Sequence, residues 1–145
     1  MRGYFGIGIY APKYEVNIGT LWRSAYQLGA TFIFTIGGRW RRQSSDTTKT
    51  HLHIPLFHYA DWSQFSALRP RDCPLVGVEM GGRNLSTFAH PQRALYLLGA
   101  EDNGLPNLVQ EQCQHIVSLE AVRLLSFNVA VAGSIVMYDR LEKVR

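Results

Sequence analysis

An α/β domain built on a largely parallel sheet is the fold class this sequence predicts, and three observations predict it. Short apolar, β-branched runs alternate with helical patterns along the chain, as strands joined by crossover helices do. Hydrophobic residues make up 46% and charged residues 18%, a globular balance that excludes a disordered tail. The length of 145 residues suits one compact domain spanning 1–145 and leaves no room for a second.

Residues 4–10 (YFGIGIY) read as the first strand. A helix follows from about Ile18 to Leu28, opened by Asn17 and stopped by Gly29, the residue helices favour at that position. Residues 31–36 (TFIFTI) form a second buried strand, closed by Gly37 and Gly38. Asp61 with Gln64 resembles a capping box that opens a short helix through Leu68. Residues 75–78 and 94–98 are two more short apolar strands. A weak helix follows Pro106, and 115–119 is the last strand. The segment from about Phe127 to Lys143 sets Val131, Ile135, Tyr138 and Leu141 on one helical stripe. Among its small residues, Ala130, Gly133 and Ser134 allow another helix to approach closely, either within the core or across an interface.

The stretch 37–50 (GGRWRRQSSDTTKT) breaks this alternation. It gathers Arg39, Arg41, Arg42 and Lys49 around Trp40, a composition able to grip phosphates and stack a base, although a solvated loop reads the same way. The formal net charge of +4 points mildly in the same direction. Cys73 and Cys113 form no metal or redox pattern, and no secretory leader or membrane-length apolar run is visible, so the expectation is a cytoplasmic protein with no membrane partner.

Familiar nucleotide motifs fail. Gly3, Gly6 and Gly8 have the wrong spacing for a dinucleotide fingerprint. Gly99 and Gly104 are spaced as in a P-loop, but Leu105 and Pro106 stand where Lys and Ser or Thr are required. His51 and His53 find no third ligand at a sensible spacing, so no metal is expected.

Three segments remain. In 17–25 (NIGTLWRSA), an Asn opens a helix whose N-terminus suits a phosphate, with Arg23 about one and a half turns in. In 97–106 (LLGAEDNGLP), a strand runs into a glycine turn with Glu101 at its tip, beyond a strand's carboxyl end, where ligands bind in open α/β sheets. In 125–133 (LSFNVAVAG), Ser126 and Asn128 precede a helix of small and apolar residues. Each also has a plain reading: an N-cap at Asn17, a bare turn, and a cap at Ser126 or Asn128.

In order and spacing, the three together resemble the SpoU/TrmH family of SPOUT methyltransferases, over nearly the whole chain. Asn17 and Arg23 match the family's first motif. Gly99, Glu101, Gly104 and Leu105 match its G-x-E-x-x-G-L segment, and 126–132 (SFNVAVA) match its Ser-Leu-Asn-Val-Ser-Val-Ala segment. The short chain looks like the minimal members, including those that modify the tRNA wobble ribose. The resemblance implies a parallel-sheet α/β fold with a deep C-terminal trefoil knot, an exception to the rule against threading. It implies S-adenosylmethionine as cofactor, held at Val78, Gly99, Ser118, Ser126 and Phe127, and a homodimer packed partly through the C-terminal helix. It also implies methyl transfer to a ribose 2′-hydroxyl, with Arg23, Asn17, Glu101, Ser126 and Asn128 as catalytic residues. RNA is the expected partner, tRNA favoured over ribosomal RNA, with the basic loop of Arg39, Arg41, Arg42 and Lys49 as its candidate surface. Base methylation and a non-catalytic RNA-binding protein on the same fold are the alternatives. The chain departs from the family in having Ser118-Leu119 for an Ile-Pro pair, Phe127 for Leu and Ala130 for Ser.

Overall fold

The computed structural model describes residues 3–38, 53–100, 103–124 and 126–144. Six strands form one sheet: β1 (Tyr4–Tyr10), β2 (Phe32–Ile36), β3 (Leu56–Tyr59), β4 (Leu75–Asn84), β5 (Arg93–Leu98) and β6 (His115–Ser118). Four helices join or follow them: α1 (Glu15–Gln27), α2 (Trp62–Leu68), α3 (Asn107–Glu111) and α4 (Val129–Val144). The sheet order is β3-β2-β1-β5-β4-β6, and every neighbouring pair is parallel.

A parallel sheet must be covered on both faces, and the alternation of side chains shows how. Phe5, Ile7 and Ile9 of β1, Ile33 of β2 and Ala94, Tyr96 and Leu98 of β5 join the core under α1 and α4. Phe32, Phe34 and Ile36 of β2 and Leu95 and Leu97 of β5 join a second core with Phe65 of α2 and Val109 of α3. The two glycines of β1 belong to this second face. Gly6 and Gly8 lie in register with Phe32 and Phe34, and a Cβ on Gly6 would come 2.5 Å from the Phe32 ring. The phenyl rings therefore lie over β1 where its side chains are missing, which explains glycines inside a central strand.

The helices mostly begin and end where local chemistry directs. Gly29 follows α1 at φ +92°, and Ala30 N–H returns to Ala25 O at 2.9 Å. Asp61 caps α2 by accepting from Gln64 N–H at 2.9 Å, while Gln64 Oε1 accepts from Ala60 N–H at 2.7 Å. The start of α1 is a correction to the sequence reading. Its N-cap is Tyr14, with no side-chain hydrogen bond, so Asn17 sits inside the first turn and is not the cap.

Two strands also differ from expectation. β3 was not anticipated; it is a four-residue edge strand with no fully buried residue. β4 runs past Val78, because its pairing with β6 is interrupted between Val78 and Arg83 and then resumes. Glu79, Met80, Gly81 and Gly82 form this bulge, with Gly81 at φ +84°.

α4 buries Val129, Ala130, Ala132, Gly133, Val136, Met137 and Arg140. Its small residues let α1 approach within the same chain: a Cβ on Gly133 would lie 2.6 Å from Leu21 Cδ1, and Ser134 Oγ meets Ser24 Oγ at 2.9 Å. The larger stripe residues Val131, Ile135 and Tyr138 are exposed instead.

The far end of α4 is tied to the sheet by a directed hydrogen-bond chain. Arg140 is 2% exposed and donates to Pro91 O at 2.6 Å, Gln92 O at 2.7 Å and Tyr96 Oη at 3.0 Å. His90 joins Tyr96 Oη through Nδ1 and Asp139 Oδ2 through Nε2, each at 2.7 Å. A carboxylate only accepts, so Nε2 carries the proton and Tyr96 O–H donates to Nδ1. Lys143 Nζ completes the set at 2.9 Å from Asp139 Oδ2. Burial holds the His90 pKa below its ordinary value despite the nearby carboxylate, and pushes Tyr96 up to about 12. No helix among the described residues is long and apolar enough to cross a membrane.

Candidate functional site

The bulge of β4, the carboxyl end of β5, the residue after β6 and the start of α4 converge on a cavity of about 440 Å³. Val78 and Glu79, Leu98 and Gly99, Leu119, and Ser126 with Phe127 supply its walls, closed by Gly104 and Ala132. Crevices outside the carboxyl ends of parallel strands are where α/β sheets bind ligands. The lining mixes apolar side chains with a few polar groups, the usual make-up of a small-molecule site.

Gly99 and Ala100 lie tightly against Gly104 and Leu105. Gly104 N–H donates to Ala100 O at 3.1 Å, and a Cβ on Gly99 would lie 2.5 Å from the Gly104 carbonyl carbon. Gly104 has φ +62°, so a glycine is favoured there on backbone grounds as well. Glu79 braces this loop from outside: Oε2 accepts from Leu105 N–H at 2.7 Å, and Oε1 accepts from Met80 N–H at 3.0 Å.

Asn128 starts α4 as its cap, with Oδ1 accepting from Ala130 N–H at 2.9 Å and Val131 N–H at 3.2 Å. Those contacts fix the orientation of the amide, so Nδ2 points the other way and donates to Asn17 Oδ1 at 3.1 Å. Asn17 is buried, and the pair joins the first turn of α1 to the first turn of α4.

The residues expected to hold a cofactor fall as follows. Val78, Gly99, Ser126 and Phe127 line the cavity. Ser118 does not: its hydroxyl donates to Gly82 O at 3.1 Å and so fastens β6 to the bulge, while Leu119 takes the place on the wall. Of the expected catalytic residues, Asn17 and Asn128 meet each other, Ser126 faces the cavity, and Arg23 is exposed on α1, off the cavity wall. Glu101 and the basic residues Arg39, Arg41, Arg42 and Lys49 lie outside the described residues. Sequence reasoning missed Glu79; the Gly81-Gly82 pair after an apolar strand was the available signal for a bulge.

A second concavity, of about 620 Å³, lies on the outer side of α1 and α4. Leu28, Leu85, Val131, Ile135 and Tyr138 give it an apolar lining, with Thr20, Asp139 and Glu142 among its polar residues. Among the described residues, no group of three or more His, Cys, Asp or Glu is placed to hold a metal.

The solved structures similar to this one share its fold. The SpoU methyltransferase AviRb from Streptomyces viridochromogenes matches with TM-score 0.83 and 24% identity, over 96% of this chain and 59% of that one. The S-adenosylmethionine-bound rRNA methyltransferase from Sinorhizobium meliloti matches with TM-score 0.88 and 21% identity, over 100% of this chain and 58% of that one. This chain thus spans about three fifths of the length of either protein. A protein solved for structural insight into 2-OH methylation of C/U34 on tRNA matches with TM-score 0.86 and 21% identity, over 99% of this chain and 97% of that one. No curated protein matches the sequence. The sequence model of the SpoU rRNA methylase family matches residues 5–138, nearly the full chain, and the chain belongs to that family.

Proposed function

We propose that this chain is an S-adenosylmethionine-dependent RNA methyltransferase acting on a ribose 2′-hydroxyl, with residues 1–145 forming one SPOUT unit and its deep C-terminal trefoil knot. The observation that carries the reading is the cavity at the bulge of β4 and the end of β5, walled by Gly99 and Gly104 of the second motif segment and by Ser126 and Phe127 of the third.

The cavity fits the cofactor. Its volume of about 440 Å³ lies within the range of small-ligand sites. Gly99 lines the cavity without a side chain, and Val78, Leu98, Leu119 and Phe127 offer apolar surface for a purine. Val78, Gly99, Ser126 and Phe127 would hold it, with Ser118 acting through the bulge it fastens. S-adenosylmethionine supplies, when bound, a methyl group already activated by its sulfonium.

The chain's own residues then position the RNA. Arginine stays protonated in proteins, so Arg23 is better suited to clamp a phosphate and stabilise a developing alkoxide than to act as a base. Its exposure on α1 leaves it accessible to a polymer. Asn17 and Asn128 hold α1 and α4 in register beside the cavity, so Arg23 and the wall keep a fixed relation. Glu101 and Ser126 would order the pocket, and Arg39, Arg41, Arg42 and Lys49 would add phosphate contacts.

The same reading includes a homodimer, supported by the apolar concavity between α1 and α4 with Val131, Ile135 and Tyr138 exposed on it. The tRNA substrate is favoured because the tRNA-related structure is matched along 97% of its length. Ribosomal RNA is the second reading, supported by the family's description and by the rRNA methyltransferase of similar fold. Arg23→Ala tests the mechanism: methyl transfer should be abolished while cofactor affinity and oligomeric state stay as in the wild type. Unchanged transfer would remove Arg23 from the site.

A further inference from the structure

A carboxylate that no family motif supplied lies at the cavity wall. The bulge of β4 turns Glu79 out of the ladder, between the strand that carries Val78 and the loop that carries Gly99 and Gly104. Both oxygens of the carboxylate are used by backbone donors, Leu105 N–H at 2.7 Å and Met80 N–H at 3.0 Å. Such charge-assisted bonds are among the stronger in proteins, and here one joins two chain segments 26 residues apart. Around it the packing is close. The carboxylate occupies the space a Cβ on Gly104 would take, and the Gly104 backbone occupies the space a Cβ on Gly99 would take. Movement of the Glu79 carboxylate is therefore passed to Gly104 and Gly99 of the cavity wall.

We propose that Glu79 is a positioning residue of the cofactor site, holding Gly104 and Leu105 against Gly99 at the cavity wall through the Leu105 amide. This inference rests on the reading of the cavity as the S-adenosylmethionine site. A carboxylate suits the task because it only accepts, and both facing groups are donors. A glutamine keeps one acceptor for Leu105 but turns an N–H₂ towards Met80 N–H. An alanine keeps neither acceptor.

The test is amide hydrogen exchange at Leu105 together with calorimetric binding of S-adenosylmethionine, on wild type, Glu79→Ala and Glu79→Gln. In Glu79→Ala, Leu105 exchange should accelerate and S-adenosylmethionine binding should weaken by roughly tenfold or more, the size of a lost hydrogen bond to a charged group. Exchange in β1 and β5 should be unchanged. Glu79→Gln should retain most of the Leu105 protection and most of the affinity. Glu79→Asp, which keeps the charge but withdraws it by one methylene, gives the same two readouts as Glu79→Ala should the alanine variant fail to fold. Leu105 protection that survives in Glu79→Ala or Glu79→Asp overturns the proposal, and so does a freed Leu105 with unchanged affinity. A wild-type chain that does not bind S-adenosylmethionine overturns the cavity reading and takes the proposal with it. The exchange data, needing no ligand, tell that failure from failure of the pin.

Discussion

The link between Asn17 and Asn128 makes a quantitative prediction, because the side chain of Asn128 does two separable things. Its oxygen caps α4 through two backbone N–H groups, at 2.9 and 3.2 Å, and its nitrogen donates to the buried Asn17 oxygen at 3.1 Å. Asn128→Ala removes both functions. The cap contributes about 1 kcal/mol, and the inter-helix bond contributes about 1 kcal/mol more. The sum of roughly 2 kcal/mol corresponds to a fall in Tm of about 4–8 °C for a chain of this size. Asn128→Asp separates the two functions. The carboxylate still caps the helix, and a negative charge there is favoured by the helix dipole, but it has no proton for Asn17. Its loss should be about 1 kcal/mol, close to the value of the single bond. Urea unfolding of the two variants, with Asn17→Ala and Asn17→Ala/Asn128→Ala to close a double-mutant cycle, measures each part, and the coupling should be about 1 kcal/mol. A coupling near zero, or an aspartate variant as unstable as the alanine one, would refute the assignment of the amide.

Three further outcomes follow from the same geometry. Burial lowers the His90 pKa below its ordinary 6.5, so under that pH the unfolded chain takes up a proton that the folded chain resists. Stability should be complete above pH 6.5 and fall below it, by at most about 1.4 kcal/mol per pH unit for one group, and urea midpoints of His90→Gln should lose that dependence. Gly99→Ala places a methyl 2.5 Å from the Gly104 carbonyl carbon, and backbone has to move to admit it. Calorimetry should show S-adenosylmethionine affinity lowered about fivefold or more, for overpacking of about 1–3 kcal/mol, with the fold kept by circular dichroism. Ile135→Glu puts a charge on the apolar concavity of α1 and α4; on the proposed homodimer, sedimentation should find the wild type as a dimer and the variant as a monomer. Dimers in both would move the interface elsewhere, and a monomeric wild type would overturn the dimer.

Most of the sheet was legible because its strands are short, apolar and bounded by glycine or turn chemistry. The runs that became β1, β2 and β5 announce burial on both faces, and Asp61 and Gly29 mark helix ends by mechanisms local to the sequence. The start of α1 was not legible, since Tyr14 caps it without a side-chain bond and Asn17, the apparent cap, is directed to a residue 111 positions away. Nor was β3, whose four residues have one parallel partner and none of the burial that marks a central strand. The stripe of Val131, Ile135 and Tyr138 was read correctly as a helical face, but periodicity does not say whether such a face turns inward, and here the small residues beside it do. The site was legible only through the order of three motifs. Glu79 belongs to none of them, and its place depends on a bulge that forms when β4 resumes pairing with β6.

The proposed reaction is tested directly by transfer of labelled methyl from S-adenosylmethionine to bulk tRNA and, separately, to ribosomal RNA, followed by nucleoside analysis. A 2′-O-methylated nucleoside is expected, recovered from tRNA in preference to ribosomal RNA and absent with Arg23→Ala. Label on a base would contradict the ribose chemistry. Cofactor binding with no labelled product on either RNA would contradict the enzyme itself and leave an RNA-binding protein on the same fold.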